Sequence, residues 1–66
     1  MTKYFITTTE GMSGYFAVLM WLNTEEEDIG PFWEPYETGL GRYGNKEAAE
    51  REARQWAHQI GVEYRA

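Results

Sequence analysis

The stretch Tyr15-Phe16-Ala17-Val18-Leu19-Met20-Trp21-Leu22 (residues 15–22) decides the fold, because it is the longest apolar run of the chain. It is apolar at odd and even positions alike, which is typical of a strand covered on both faces. A buried helix would show the same pattern, but the aromatic residues and the glycine-containing segment just before the run favour a strand. The run is far shorter than the roughly 20 residues that cross a bilayer as a helix.

A second strand is predicted on the N-terminal side of this run. Residues 4–9 are aromatic and β-branched, and residues 10–14 hold two glycines and read as a hairpin turn. A five-residue turn pairs Thr9 with Tyr15 and Ile6 with Val18. A slip of one residue would exchange the faces. With the five-residue turn, one face of the hairpin carries Phe5, Tyr15, Leu19 and Trp21, and the other carries Tyr4, Ile6, Phe16, Val18 and Met20.

The remaining chain predicts a loop, a third strand and a helix. The acid- and proline-rich segment 23–35 reads as a loop, and residues 36–43 read as the third strand. In residues 45–60, Asn45 is a good N-cap and Gly61 a good residue to end the helix. One apolar stripe of this helix is formed by Ala49, Ala53, Trp56, Ala57 and Ile60. We therefore expect one α+β domain (1–66): a three-stranded antiparallel sheet followed by one C-terminal helix packed on one face.

A single helix covers only one face of such a sheet, and the other face needs a cover of its own. With the predicted register, the uncovered face carries Phe5, Tyr15, Leu19 and Trp21. Self-association through these residues would make the protein a homodimer. Alternatively, the 23–35 segment folds back over this face with Phe32 and Trp33 as its lid. The sequence leaves both solutions open.

Composition and charge exclude several classes of function. The chain of 66 residues has 11 acidic and 6 basic residues and no cysteine, which argues against disulfides, cysteine-bound zinc, membrane binding and nucleic-acid binding. No lysine or arginine occurs between Lys3 and Arg42, so the basic groove that a nucleic acid needs is missing. The single serine, Ser13, lies in the predicted turn, and the single histidine, His58, on the outer side of the helix. We expect no enzyme, no cofactor and no bound metal, and a cytoplasmic location.

The segment 29–36 is the best candidate for a docking site. Trp and Tyr are typical anchors of interfaces, and proline reduces the entropy lost on docking. The preceding acid run would steer a basic partner. The predicted partner-binding residues are Phe32, Trp33 and Tyr36 as anchors, with Glu25, Glu26, Glu27 and Asp28 as the acid run. The competing interpretation is that Phe32 and Trp33 fill the domain's own core.

Two functions are compatible with these features. The first is a small non-enzymatic protein-interaction module, an adaptor or regulator that binds a basic protein. The alternative is an acidic inhibitor that mimics nucleic acid and blocks a DNA- or RNA-binding protein or a nuclease. Mimicry needs acids spread along a surface, and here most are concentrated in one segment, which favours the first function.

Three segments carry a resemblance to known proteins. They are Thr-Glu-Gly-Met-Ser-Gly-Tyr-Phe-Ala-Val-Leu-Met-Trp (9–21), Pro-Phe-Trp-Glu-Pro (31–35) and the stretch from Gly41 to Ala57. Together they resemble small cyanobacterial proteins of unassigned function. The resemblance implies a cytosolic bacterial protein and brings no activity, cofactor or catalytic residue with it.

Overall fold

The apolar run at 15–22 forms most of a central strand in a mixed four-stranded sheet. The computed structural model describes residues 3–24, 28 and 30–66. Its elements are β1 (Tyr4–Gly11), β2 (Gly14–Asn23), β3 (Phe32–Thr38), α1 (Lys46–Ile60) and β4 (Glu63–Tyr64). The strand order is β3-β2-β1-β4, with β2 antiparallel to β1 and β3, and β4 parallel to β1. The α+β class is confirmed, but the sheet is not the three-stranded antiparallel one that the sequence predicts.

The register of the β1–β2 hairpin differs from the prediction by one residue. The turn contains only Met12 and Ser13, so Gly11 lies opposite Gly14 and Ile6 lies opposite Leu19. The glycine pair extends both strands into the segment that the sequence assigns to the turn. Because side chains alternate between faces, this single step moves every β2 side chain to the face opposite the predicted one.

The third strand begins four residues before its predicted start at Tyr36. It spans Phe32–Thr38 and lies at the edge of the sheet. Pro35 lies opposite Met20, next to an irregularity in the β2–β3 register. An edge strand tolerates a proline because no further strand needs its missing N–H group. Beyond β3, the chain still follows β2: the Gly39 amide donates to the Ala17 carbonyl (2.9 Å).

The helix agrees with the prediction in its ends and in the alanines of its apolar stripe, but not at Ile60. The Asn45 side chain accepts a hydrogen bond from the Ala48 amide (2.9 Å) and caps the N-terminus. Gly61 ends the helix in the left-handed conformation with φ 73°, where a side chain would be strained. The buried residues of α1 are Ala49, Ala53 and Ala57, whereas Trp56 is half-buried and Ile60 is 46% exposed.

The core under the helix is thin. Its buried cluster consists of Ile6, Ala17, Leu19, Ala53 and Ala57, with Trp56, Val62 and Tyr64 packed against it. The alanines let α1 approach the sheet closely. The helix packs on β1, β2 and β4, and among the described residues it makes no such contact with β3. One side of β3 is therefore open beside the helix.

Candidate functional site

No described element packs on the sheet face that points away from α1. We call this face the open face. Its residues follow from the register: Phe5, Thr7, Thr9, Phe16, Val18, Met20, Leu22, Trp33, Pro35 and Thr38. A groove of about 400 Å³ crosses its middle, with Val18 at its floor and Thr7 and Met20 beside it. Val18 is only 5% exposed although it lies on this face. Larger side chains at neighbouring positions of the same face therefore shield it from solvent.

Two arginines lie on the aromatic rings of the open face. The Arg42 guanidinium is 4.2 Å from the centre of the Phe16 ring, and that of Arg65 is 4.3 Å from the Phe5 ring and 5.3 Å from the Trp33 ring. Phe5 and Trp33 are themselves in edge-to-face contact at 4.7 Å. Such cation–π contacts each stabilise by roughly 0.5–1 kcal/mol at an exposed site. The open face is thus apolar in its middle and cationic over its rings.

The positions of these two arginines remove one of the two arguments against nucleic-acid binding. Arg42 and Arg65 lie outside the base-free interval of the sequence, yet the fold places both over rings of strands that lie within it. The exclusion then rests on the net charge of −5 alone. That the protein binds no nucleic acid stays a prediction.

A second candidate surface lies between α1 and β3, and we call it the helix-side cleft. It is an open cavity of about 780 Å³. Its lining consists of Glu37, Thr38, Gly39, Leu40, Gly41, Tyr43, Glu52, Gln55, Trp56 and Gln59. This lining holds two carboxylates, two amides and two aromatic rings, and it contains no lysine or arginine. Its chemistry fits a cationic group.

Glu52 is held in the cleft by a phenol and by two close glycines. The Tyr43 hydroxyl donates to Glu52 Oε1 at 2.8 Å. A Cβ atom at Gly39 or Gly41 would occupy the place of the Glu52 carboxylate, so the missing side chains of these two glycines let the carboxylate lie this close to the loop. Arg42 closes the other side of this loop by donating to the carbonyls of Gly39 (2.8 Å) and Gly41 (3.0 Å).

The hydrogen bond to Glu52 raises the pKa of Tyr43 above its usual value of about 10, with smaller contributions from burial and from the carboxylate charge. The pKa of Tyr64 is also raised, mainly by burial and then by its 3.2 Å hydrogen bond to Glu50. Both groups favour the neutral phenol in the folded state.

We therefore expect the protein to lose stability in alkaline solution. A phenol whose pKa is higher in the folded state adds stability that is fully present below about pH 10 and is lost as the pH rises through the folded-state pKa. Absorbance at 295 nm should show two late-titrating tyrosines, and Tyr43→Phe should remove one of them. Glu52→Gln should lower the pKa of Tyr43 toward its usual value, because the carboxylate that accepts its hydrogen bond is lost. An unchanged curve in Glu52→Gln would contradict the assigned cause.

Three of the four residues predicted for self-association lie on the helix side of the sheet. Phe5 is on the open face, but Tyr15, Leu19 and Trp21 are not, because of the one-residue difference in register. Leu19 belongs to the buried core cluster. Trp21 Nε1 donates to Glu34 Oε1 at 3.0 Å. The prediction that these four residues share one face is therefore wrong.

The three predicted anchors do not form one patch. Trp33 is 37% exposed on the open face, whereas Phe32 lies opposite Asn23 and so belongs to the other face. Tyr36 is 61% exposed, with its ring 6.0 Å from the Tyr4 ring. The buried core cluster contains none of the three anchors. Of the acid run, Asp28 is exposed, and Glu25, Glu26 and Glu27 lie outside the described residues.

Sequence reasoning missed Glu52, Tyr43 and Trp56 as members of one surface. One signal existed: Gly39 and Gly41 in a predicted strand indicate that another group approaches the backbone closely. The approaching group is a carboxylate of the helix.

The two residues considered for catalysis lie in different elements of the fold. Ser13 and His58 are exposed, in the hairpin turn and in the last turn of α1. Within the described ranges, no group of three or more His, Asp or Glu side chains is placed to hold a metal ion. In those same ranges, the single helix is too short and too polar to cross a membrane.

Comparison of the chain with family models, curated proteins and solved structures finds no match. The resemblance to cyanobacterial proteins therefore stays a prediction.

Proposed function

We propose that the protein is a small non-enzymatic interaction module that holds a basic side chain of a protein partner in the helix-side cleft. One observation carries this proposal: the cleft is lined by Glu37 and Glu52 and by no basic residue. The cleft is open because α1 packs on β1 and β2 and not on β3.

The lining offers complementary groups for an ammonium or guanidinium ion. Glu37 is exposed and can pair with the cation directly. Glu52 is half-buried and already oriented by Tyr43, so little side-chain entropy is lost when it accepts a further hydrogen bond. The half-buried Trp56 ring supplies a π face for the same charge.

The net charge of −5 supports a basic partner at longer range. Charges of this kind act mainly on the association rate, and salt at about 0.15 M screens them beyond about 8 Å. In this proposal the acid run Glu25–Asp28 steers the partner toward the cleft. A cytoplasmic location stays part of the proposal.

The alternative function, nucleic-acid mimicry, is less well supported. On α1 the acidic residues Glu47 and Glu50 are interleaved with Arg51 and Arg54, so the helix does not present a continuous anionic surface. The open face adds two more arginines. We therefore place the cleft-binding function first.

Binding of a cationic peptide tests the proposal. In NMR titrations with an octalysine peptide, we expect saturable shifts of the Trp56 indole and of the Gln55 and Gln59 side-chain amides, and no such shifts with octaglutamate. Two exposed or partly exposed charge pairs contribute about 0.2–1 kcal/mol each. The double variant Glu37→Gln/Glu52→Gln should therefore weaken binding about two- to thirtyfold.

A matched double variant separates local contacts from net charge. Glu10→Gln/Glu47→Gln removes the same total charge at two exposed positions outside the cleft. It should change the affinity less than about twofold at 0.15 M salt. Equal weakening by both double variants would show that only the net charge matters, and the cleft would then not be the docking site.

A further inference from the structure

The open face has the composition of a protein interface. Phe5, Phe16, Trp33, Met20 and two arginines lie on it, and aromatic residues, methionine and arginine are the types enriched in interfaces. Arg65 also pairs with the Glu63 carboxylate at 2.9 Å. Acidic residues are the type that interfaces exclude from their centre.

The small core of the monomer makes exposure of the open face to water unfavourable. Among the described residues, Ile6 is the largest side chain that is fully buried, and three of the seven buried apolar residues are helix alanines. A chain of this length buries too little apolar surface to leave a second apolar face in water at no cost. A partner that the fold itself requires must be present whenever the chain is present, and a second copy of the chain meets this condition.

The dimensions of the molecule fit such a pairing. The described residues extend over 39 × 26 × 17 Å. A standard interface buries about 800 Å² on each partner, which is comparable to the area spanned by the two longer dimensions. One open face can therefore supply a full interface.

The shape of the open face allows it to pack against the same face of a second copy. The row Thr7–Val18 forms the groove, and it lies between the row that contains Phe16 and the row that contains Phe5. Rows on one face are about 6.6 Å apart along a strand. An interface with two-fold symmetry would place a ring of each copy in the groove of the other, which buries both apolar floors at once.

We infer that the open face is the interface of a homodimer in which the two sheets pack face to face. Trp33 and Phe16 of each copy would enclose the Val18 grooves, and Arg42 and Arg65 would remain over the rings at the margin. The helix-side cleft lies on the other side of the sheet and stays accessible in both copies.

Sedimentation velocity on the full chain tests this inference. The wild-type protein should sediment with twice the 7.7 kDa mass of one chain at about 100 μM and dissociate on dilution. Thr9→Lys and Met20→Lys place a charge at the groove and should each raise the dissociation constant at least tenfold. Thr9 is exposed, so this variant should fold even if Met20→Lys does not. Far-ultraviolet circular dichroism checks the fold.

The neighbouring residue on β1 provides the control. Glu10 is also exposed, but its side chain lies on the helix side, so Glu10→Lys should leave the dimer intact. A wild-type monomer at all concentrations would overturn the inference, as would a dimer that Thr9→Lys and Glu10→Lys weaken equally. Octalysine binding by the monomeric Thr9→Lys variant is measured in parallel, so that a failure of the dimer and a failure of the cleft function are told apart.

Discussion

Ile6→Ala is expected to lower the free energy of unfolding by about 3 kcal/mol, within the range of about 2–5 kcal/mol for removing a buried isoleucine side chain. Ile6 is fully buried in one cluster with Leu19 and the helix alanines, and in the part of the chain that the structure describes it is the largest side chain with no exposed surface. A chain of 66 residues has a total stability of only about 3–10 kcal/mol. The variant should therefore retain only about 0–7 kcal/mol and unfold at a clearly lower urea concentration than the wild-type protein.

Urea unfolding followed by tryptophan fluorescence measures this effect. Ile60→Ala is the matched control, because it makes the same chemical change at a position that is 46% exposed in the last turn of α1. It should cost less than about 1 kcal/mol, since alanine also favours the helix. Losses of similar size in both variants would show that the packing around Ile6 is not the centre of stability. Both variants are compared at one protein concentration, because the proposed dimerisation would also add stability.

The helix was predictable because its signals are local. The Asn45 cap, the alanine stripe and Gly61 each act within one or two turns of the chain, so a pattern in the sequence reports them directly. The apolar run at 15–22 was also predicted as a strand, although a buried helix would show the same pattern. As a central strand, β2 contributes apolar side chains to the core under the helix on one face and to the open face on the other.

The register could not be predicted because it depends on one residue in a turn. Two glycines, Gly11 and Gly14, flank Met12 and Ser13, and the sequence is compatible with a two-residue or a five-residue turn. Both face assignments bury apolar side chains, since β2 is apolar at both parities. The apolar pattern of β2 therefore does not distinguish the two registers. As a result, the prediction placed three of the four self-association residues on the wrong face.

The two candidate surfaces were hidden because they join residues that are distant in sequence. Arg65 reaches the Phe5 ring only because β4 returns beside β1 after the helix. Glu52 meets Tyr43 across the space between the helix and the chain that follows β3. No spacing rule links such residues. Only the glycines at 39 and 41 indicated that something approaches the backbone there.

Gly14→Ala is expected to be the second most damaging substitution. Gly14 has φ 113°, a backbone conformation that costs an L-residue about 1–3 kcal/mol. A Cβ atom there would also collide with the Tyr43 backbone oxygen. This oxygen accepts the Tyr15 amide at 2.8 Å, and the Tyr43 amide donates back to Tyr15 at 2.9 Å. We expect a loss of about 2–4 kcal/mol, as strain and a weakened bridge add together.

Gly44→Ala is the matched control for this substitution. A Cβ atom at Gly44 has no atom within 4 Å, and its φ is not in the positive region, so alanine should change the stability by less than about 1 kcal/mol. Urea unfolding at one protein concentration compares the two variants. Equal stability of the two variants would contradict the close approach of Tyr43 to Gly14.

The Gly14 substitution should also weaken the cleft, even under conditions where the variant folds. The bridge between Tyr15 and Tyr43 fixes the Tyr43 backbone, and the Tyr43 hydroxyl in turn holds the Glu52 carboxylate. Displacement of this backbone should return the titration of Tyr43 toward its ordinary range and reduce octalysine binding, while Gly44→Ala leaves both unchanged. The hairpin turn and the cleft would then be coupled through one backbone contact, which links the local conformation of a glycine to the proposed function.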